Sequence, residues 1–226
     1  MLSLTLRREF HPFDKLLMAV SAICSLLYLV TVDYQPYPGS VVIKALSIAP
    51  IALLAFRVLK TLDGLILAIV FIFSCTGDVL LGLHRNDLFL YGLIAFLIAH
   101  LFYIWLFTRN FHSSLAVTGK HKLLVLSLLV YGATMAAWLW PGLGEMRIPA
   151  LIYLSVIILM CITATLAGFT HYSIVFGAIL FLISDSLIAI GRFKMPVPYN
   201  GYAVWVTYYL GQCLIAFGFL REKLRA

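Results

Sequence analysis

Eight long apolar stretches, joined by short connections, constrain this chain more than any other feature. Crossing ~30 Å of hydrocarbon takes ~20 apolar residues as a helix. The stretches fall at roughly 16–32, 41–57, 64–83, 88–108, 122–140, 148–168, 172–190 and 201–220. Breakers mark the joints. Pro36 and Pro38-Gly39 separate spans one and two, Pro141-Gly142 ends span five, Pro149 suits the first turn of span six, and Pro196 and Pro198 precede span eight. Pro50 lies inside span two, where it should kink the helix or free a carbonyl. Only 11% of the 226 residues are charged and 63% are hydrophobic, against ~25% charged in a soluble domain. Such a chain lacks the polar surface to cover a water-soluble globule. The expectation is an all-α, polytopic integral membrane protein: one eight-helix transmembrane domain over residues 1–226.

The net charge of +7 sits in loops and tails. That suits topology and anionic headgroups, and no basic tract with interleaved aromatics points to nucleic acid. With the N-terminus inside, the cytoplasmic segments hold eleven basic residues: Arg7, Arg8, Lys15, Arg57, Lys60, Arg109, Lys120, Lys122, Arg221, Lys223 and Arg225. The opposite side holds four, Arg85, Arg147, Arg192 and Lys194. The bias places both termini in the cytoplasm. The basic flank before span one resembles a signal peptide, but no small-residue cleavage site follows Val32, so a retained span is expected. Cys24, Cys75, Cys161 and Cys213 all fall inside spans without metal-type spacing and read as packing residues.

Ionisable residues inside a span cost at least ~2.5 kcal/mol each and usually face the bundle interior. This chain keeps Lys44, Asp78, His100 and Asp185 there. Asp78 and Asp185 each lie about five residues before the end of their spans, and Lys44 about three from the start of its own. At ~1.5 Å rise per residue, the three sit within about one turn of a common level; His100 lies deeper. One lysine cannot neutralise two carboxylates, so a purely structural ion pair leaves one aspartate over. Two neighbouring carboxylates split their proton affinities, which is what general acid–base chemistry requires. The surroundings match: Gly77-Asp78-Val79-Leu80-Leu81-Gly82 parallels Ser184-Asp185-Ser186-Leu187-Ile188-Ala189, and four spans separate the two. This suggests a parallel four-plus-four repeat with both acids facing one central cleft. His100 and Tyr103, one turn apart, either line a site or bond between helices; Tyr209 and Gln212 share that ambiguity. Trp138, Trp140, Tyr34 and Tyr37 read as interface aromatics. His11, His112, His121 and His171 fall in loops or tails and receive no role.

Several stretches together resemble the YhhN-like lysoplasmalogenase family. They are Lys44, Phe73-Ser74-Cys75-Thr76-Gly77-Asp78-Val79-Leu80-Leu81, Ala99-His100-Leu101-Phe102-Tyr103, Gly177 through Leu187 with Ser184-Asp185, and Tyr208-Tyr209-Leu210-Gly211-Gln212. Ala45 departs from the proline that family members often carry after the lysine. The resemblance implies a cofactor-free, metal-free hydrolase of the lysoplasmalogen vinyl-ether bond, with a lysophospholipid as substrate. A fatty aldehyde and glycerophosphoethanolamine or glycerophosphocholine are the implied products. It matches the family's candidate catalytic pair to Asp78 and Asp185, and we expect the chain in a bacterial inner membrane. Vinyl-ether hydrolysis begins with protonation of the distal alkene carbon, so it calls for one carboxylic acid and one carboxylate, as glycoside hydrolysis does. Lys44 would tune the pair or meet the phosphate. Ser184 stands beside Asp185 in its motif, and His84, Arg85 and Arg192 are headgroup candidates at the mouth. Tyr103, Tyr209 and Gln212 would support the chain-binding region with His100.

Rival readings remain open at this stage. An Asp/Lys/His cluster also suits a proton- or ion-coupled transporter, although no conspicuous pair of broken half-helices is present. An intramembrane aspartyl protease would carry Gly-x-Gly-Asp where this chain has Cys75-Thr76-Gly77-Asp78. A zinc amidase needs more histidines at membrane depth than His100 alone. A receptor of the retinal type would carry its lysine in a late span.

Overall fold

The computed structural model describes residues 10–111 and 118–225. Arg7, Arg8 and His112 lie outside the described residues. Eight helices run through it: α1 Pro12–Val30, α2 Ser40–Val58, α3 Leu62–Gly82, α4 Phe89–Arg109, α5 Gly119–Leu139, α6 Arg147–Leu166, α7 Ser173–Phe193 and α8 Asn200–Arg225. Each is long and apolar enough to cross a bilayer. The expected spans are recovered, with the ends shifted by capping chemistry. The α1 helix starts earlier than expected because Pro12 occupies its first turn and His11 and Asp14 form a reciprocal capping box. The α7 helix runs three residues past the expected end at 190, to Phe193.

Burial patterns show which faces the helices share. The α1 helix buries Asp14, Leu17, Ser21, Ser25 and Tyr28, a narrow stripe at three- and four-residue spacing, and leaves Leu16, Ile23, Leu26 and Leu27 outward. The α5 helix buries only Leu128, Met135 and Leu139. Both are peripheral. In contrast, α4 buries Gly92, Ala95, Phe96, Ala99, His100, Tyr103, Leu106 and Phe107, a broad face turned to the centre. The most extensive helix contacts join α7 with α8, α2 with α3, α3 with α4 and α1 with α2; α4 crosses to α6, and α2 to α8.

The proline in α2 does not end the helix. It removes the N–H that the Leu46 carbonyl would take, and the adjacent carbonyl of Ser47 accepts the Ser21 hydroxyl of α1 at 2.5 Å. At the end of the bundle holding the α2–α3 and α4–α5 connections, Asp63 takes Arg109 Nε at 3.0 Å and Lys223 Nζ at 2.8 Å. Lys223 also donates to Asn110. This one carboxylate ties α3, α4 and α8, while Asp14 and Arg57 pair α1 with α2 at 3.1 Å.

The α7–α8 seam depends on two glycines. A Cβ on Gly177 would lie 2.6 Å from the Gly211 carbonyl oxygen, and one on Gly211 would lie 2.8 Å from that of Gly177. Backbones this close leave no room for a side chain. Gly177→Val is expected to force α7 from α8 and destabilise the protein by about 1–3 kcal/mol or more, read as a lower melting temperature in detergent. Gly119→Val, where an added Cβ meets nothing within 4 Å, is the control.

Candidate functional site

Lys44, Asp78 and Tyr208 come from three helices and meet inside the bundle. Lys44 Nζ lies 3.2 Å from Asp78 Oδ1, and the Tyr208 hydroxyl donates to Asp78 Oδ2 at 2.6 Å. Asp78 is only 2% exposed. The lysine ammonium also sits over the rings of Tyr28 at 5.6 Å and Trp205 at 5.8 Å. Trp205 is itself held by α1, donating to the Ser25 carbonyl at 3.0 Å. The charge pair is thus enclosed by aromatic faces and a phenol, with both carboxylate oxygens engaged.

Asp185 is held by the corresponding elements of the other half. The Tyr153 hydroxyl of α6 donates to its Oδ2 at 2.5 Å, and His100 Nε2 of α4 lies 4.0 Å away. Each aspartate therefore meets a residue of the helix before its own, Lys44 on α2 or Tyr153 on α6. Each also meets a residue from one of two helices that are four apart in order from each other, Tyr208 on α8 or His100 on α4. What differs is the chemistry supplied: a cation for Asp78, a neutral phenol for Asp185. His100 is 0% exposed, and neither ring nitrogen makes a hydrogen bond of normal geometry. Its ring packs on Phe181 at 4.7 Å and edge-on to Tyr153 at 5.3 Å.

Asp185 lines a cavity that Asp78 does not line. A cavity of about 60 Å³ is lined by Leu81, Phe89, Leu93, Phe96, Ala150, Tyr153, Asp185, Ile188, Ala189 and Phe193. It contains Asp185 and not Asp78. The expectation that both acids face one central cavity is therefore corrected. Phe96 and Phe181 stand edge-to-face with each other and with Tyr208, the partner of Asp78, with centroids 5.2–6.0 Å apart, and Phe181 also packs on His100 beside Asp185. The Phe96 ring packs against Gly77, where an added Cβ would lie 2.6 Å from it, so the glycine before Asp78 is what lets the ring approach α3.

The remaining expected residues divide clearly. Ser184 is turned from Asp185 and donates to the Val204 carbonyl at 3.0 Å, a bond between α7 and α8. Tyr209 shares a hydrogen bond of 2.9 Å with Ser21 on α1 and stacks on Trp205. Tyr103 donates to Gln212 Oε1 at 2.6 Å in the closed core, between α4 and α8. None of these four lines the cavity. His84 Nδ1 contacts its own turn, 2.7 Å from the Gly82 carbonyl, and Arg85 pairs with Asp87 at 2.7 Å. Arg192 stands over Phe89, a cavity wall, at 3.8 Å. Sequence reasoning left Tyr153 out of the site and kept Tyr208 only as part of a motif. Depth would have found Tyr153, which lies about five residues into its span, at the level of the acids.

Removing one member of a buried ion pair costs more than removing both. Lys44→Met is expected to destabilise the protein by roughly 3–5 kcal/mol, and Lys44→Met with Asp78→Asn to recover most of that loss. Thermal unfolding of both variants in the same detergent measures the difference.

The model of the YhhN family matches residues 39–219. A Mycobacterium bovis protein named lysoplasmalogenase is 34% identical over 149 residues, which is 65% of this chain and 57% of that protein. The Homo sapiens protein named lysoplasmalogenase TMEM86A is 32% identical over 161 residues, covering 67% of this chain and 64% of its own length. The chain thus spans less than two thirds of the length of these relatives. No solved structure matches.

Proposed function

This chain belongs to the YhhN family, and from that premise we propose that it is a membrane hydrolase of the lysoplasmalogen vinyl-ether bond. The products are a fatty aldehyde and glycerophosphoethanolamine or glycerophosphocholine. One observation carries the reading. Asp185 opens onto an apolar cavity, with Tyr153 on one oxygen and, among the described residues, no lysine or arginine paired with it, while Asp78 is already matched by Lys44. The acid is therefore Asp185, and Asp78 is the fixed carboxylate.

In this mechanism Asp185 gives its proton to the alkene carbon distal to the ether oxygen. The electron pair of the double bond takes that proton, and the carbon next to oxygen becomes an oxocarbenium centre. Water adds there and returns a proton to Asp185. The hemiacetal then breaks its bond to the glycerol oxygen, which leaves with the hydroxyl proton as the carbonyl forms. Tyr153 orients the carboxyl through its donated hydrogen bond. Once it has given its proton, the Asp185 carboxylate lies beside the cationic intermediate and favours it electrostatically, while Asp78 stays compensated by Lys44. The wall of Leu81, Leu93, Phe96 and Ile188 suits a hydrocarbon-bearing group and keeps bulk water from the cation.

The two halves of the site predict unequal variants. Asp185→Asn retains an acceptor for Tyr153 and is expected to lower aldehyde release from lysoplasmenylethanolamine by ~10²-fold or more, with folding preserved. Asp78→Asn is expected to lose less in kcat and more in stability, because it leaves Lys44 buried without its countercharge. Near-normal turnover by Asp185→Asn would sink the assignment of the acid.

A further inference from the structure

Asp78 and Asp185 are each followed seven residues later by an arginine, Arg85 and Arg192. Seven residues make nearly two turns. On an unbroken helix, acid and arginine then share a face and lie ~10.5 Å apart along the axis. The structure keeps this relation in one case only. The α3 helix stops at Gly82, and His84 turns the chain with a positive φ of 52°. Arg85 is thereby carried off the face of Asp78 and closes on Asp87. The α7 helix instead continues to Phe193, so Arg192 stays on the face of Asp185. Between them, Ile188 and Ala189 line the cavity.

Arg192 is otherwise uncommitted. Its guanidinium carbon lies 3.8 Å from the centre of the Phe89 ring, and among the described residues its polar bond reaches the neutral Asn86 side chain at 3.4 Å. Among the described residues no carboxylate pairs with it. The neighbouring cations stand on other rings, Lys194 over Trp138 and Arg147 over Trp140. A guanidinium fork with free donors at the rim of an acid-containing apolar cavity is built to take a phosphate.

Resting on the hydrolase reading above, the geometry points to Arg192 as the residue that binds the phosphate of the lipid substrate and so sets the vinyl ether against Asp185. An extended glycerol backbone separates the vinyl ether from phosphorus by a length comparable to the two helical turns between the side chains. The face of α7 acts as a ruler: acid, two small apolar contacts, phosphate anchor. The same fork could serve a phosphate of the surrounding bilayer, and the experiment separates the two.

Aldehyde release is measured in phosphate-free nonionic detergent micelles, with lysoplasmenylethanolamine and with the matching phosphate-free 1-alkenylglycerol. Arg192→Met keeps an apolar stem over Phe89 without the charge. It is expected to raise KM for the phosphorylated substrate by about tenfold or more, with kcat little changed and the alkenylglycerol unaffected. Arg192→Lys recovers part of the loss, and Arg147→Met, which removes a cation standing over Trp140, changes neither substrate. Equal losses on both substrates, or no loss on either, overturn the assignment while leaving the hydrolase reading in place. An effect seen only in phospholipid vesicles, and on both substrates alike, assigns Arg192 to bilayer phosphates and also overturns it. No aldehyde from either substrate with the unaltered protein overturns the hydrolase reading itself, and this inference with it.

Discussion

The buried pair of Lys44 and Asp78 holds the arrangement from which the rest follows. A charge far from water must be met by an opposite charge and by hydrogen bonds, and here three helices supply them. The lysine comes from α2, the carboxylate from α3 and the phenol of Tyr208 from α8. Because α8 is positioned there, Gly211 comes against Gly177, and the backbone of α7 follows at close approach. Asp185 on α7 meets Tyr153 of α6 and lies near His100 of α4. Asp63 makes a similar junction of α3, α4 and α8 nearer the other end of the bundle.

The two aspartates occupy related positions with opposite outcomes. Each receives a side chain from the preceding helix and one from a distant helix, α8 for Asp78 and α4 for Asp185. A lysine in the first case produces a closed and compensated charge. A tyrosine in the second produces an oriented carboxyl beside a cavity. Both partners differ: a lysine and a phenol meet Asp78, a phenol and an imidazole meet Asp185. Where α3 ends and α7 continues, the same divergence separates Arg85 from Arg192.

Some of the site was legible from the chain alone. Asp78, Asp185 and Lys44 stand out because a charge in an apolar span is costly wherever it points, and their common level follows from helical rise. Tyr153 and Tyr208 were harder, since a tyrosine in a span is ordinary until its hydroxyl is seen to reach an acid. Ser184 was over-read for the opposite reason: its place next to Asp185 in sequence turns it about 100° away on the helix, where it meets the Val204 carbonyl. Tyr103 and Gln212 proved to be partners of each other, which no single-span pattern contains.

The sequence by itself determined eight membrane-length helices, the depth of the two acids and the lysine, and the seven-residue spacing from each acid to an arginine. These are local properties, set by hydropathy, rise per residue and periodicity. Only the tertiary structure decided which acid the lysine compensates, which one opens to a cavity, and which arginine remains on its acid's face. Those outcomes depend on side chains from helices distant in the chain and on where each helix stops. Packing and termination are settled by close contacts such as Phe96 on Gly77 and the turn at His84. Pattern within one span carries no information about its partner.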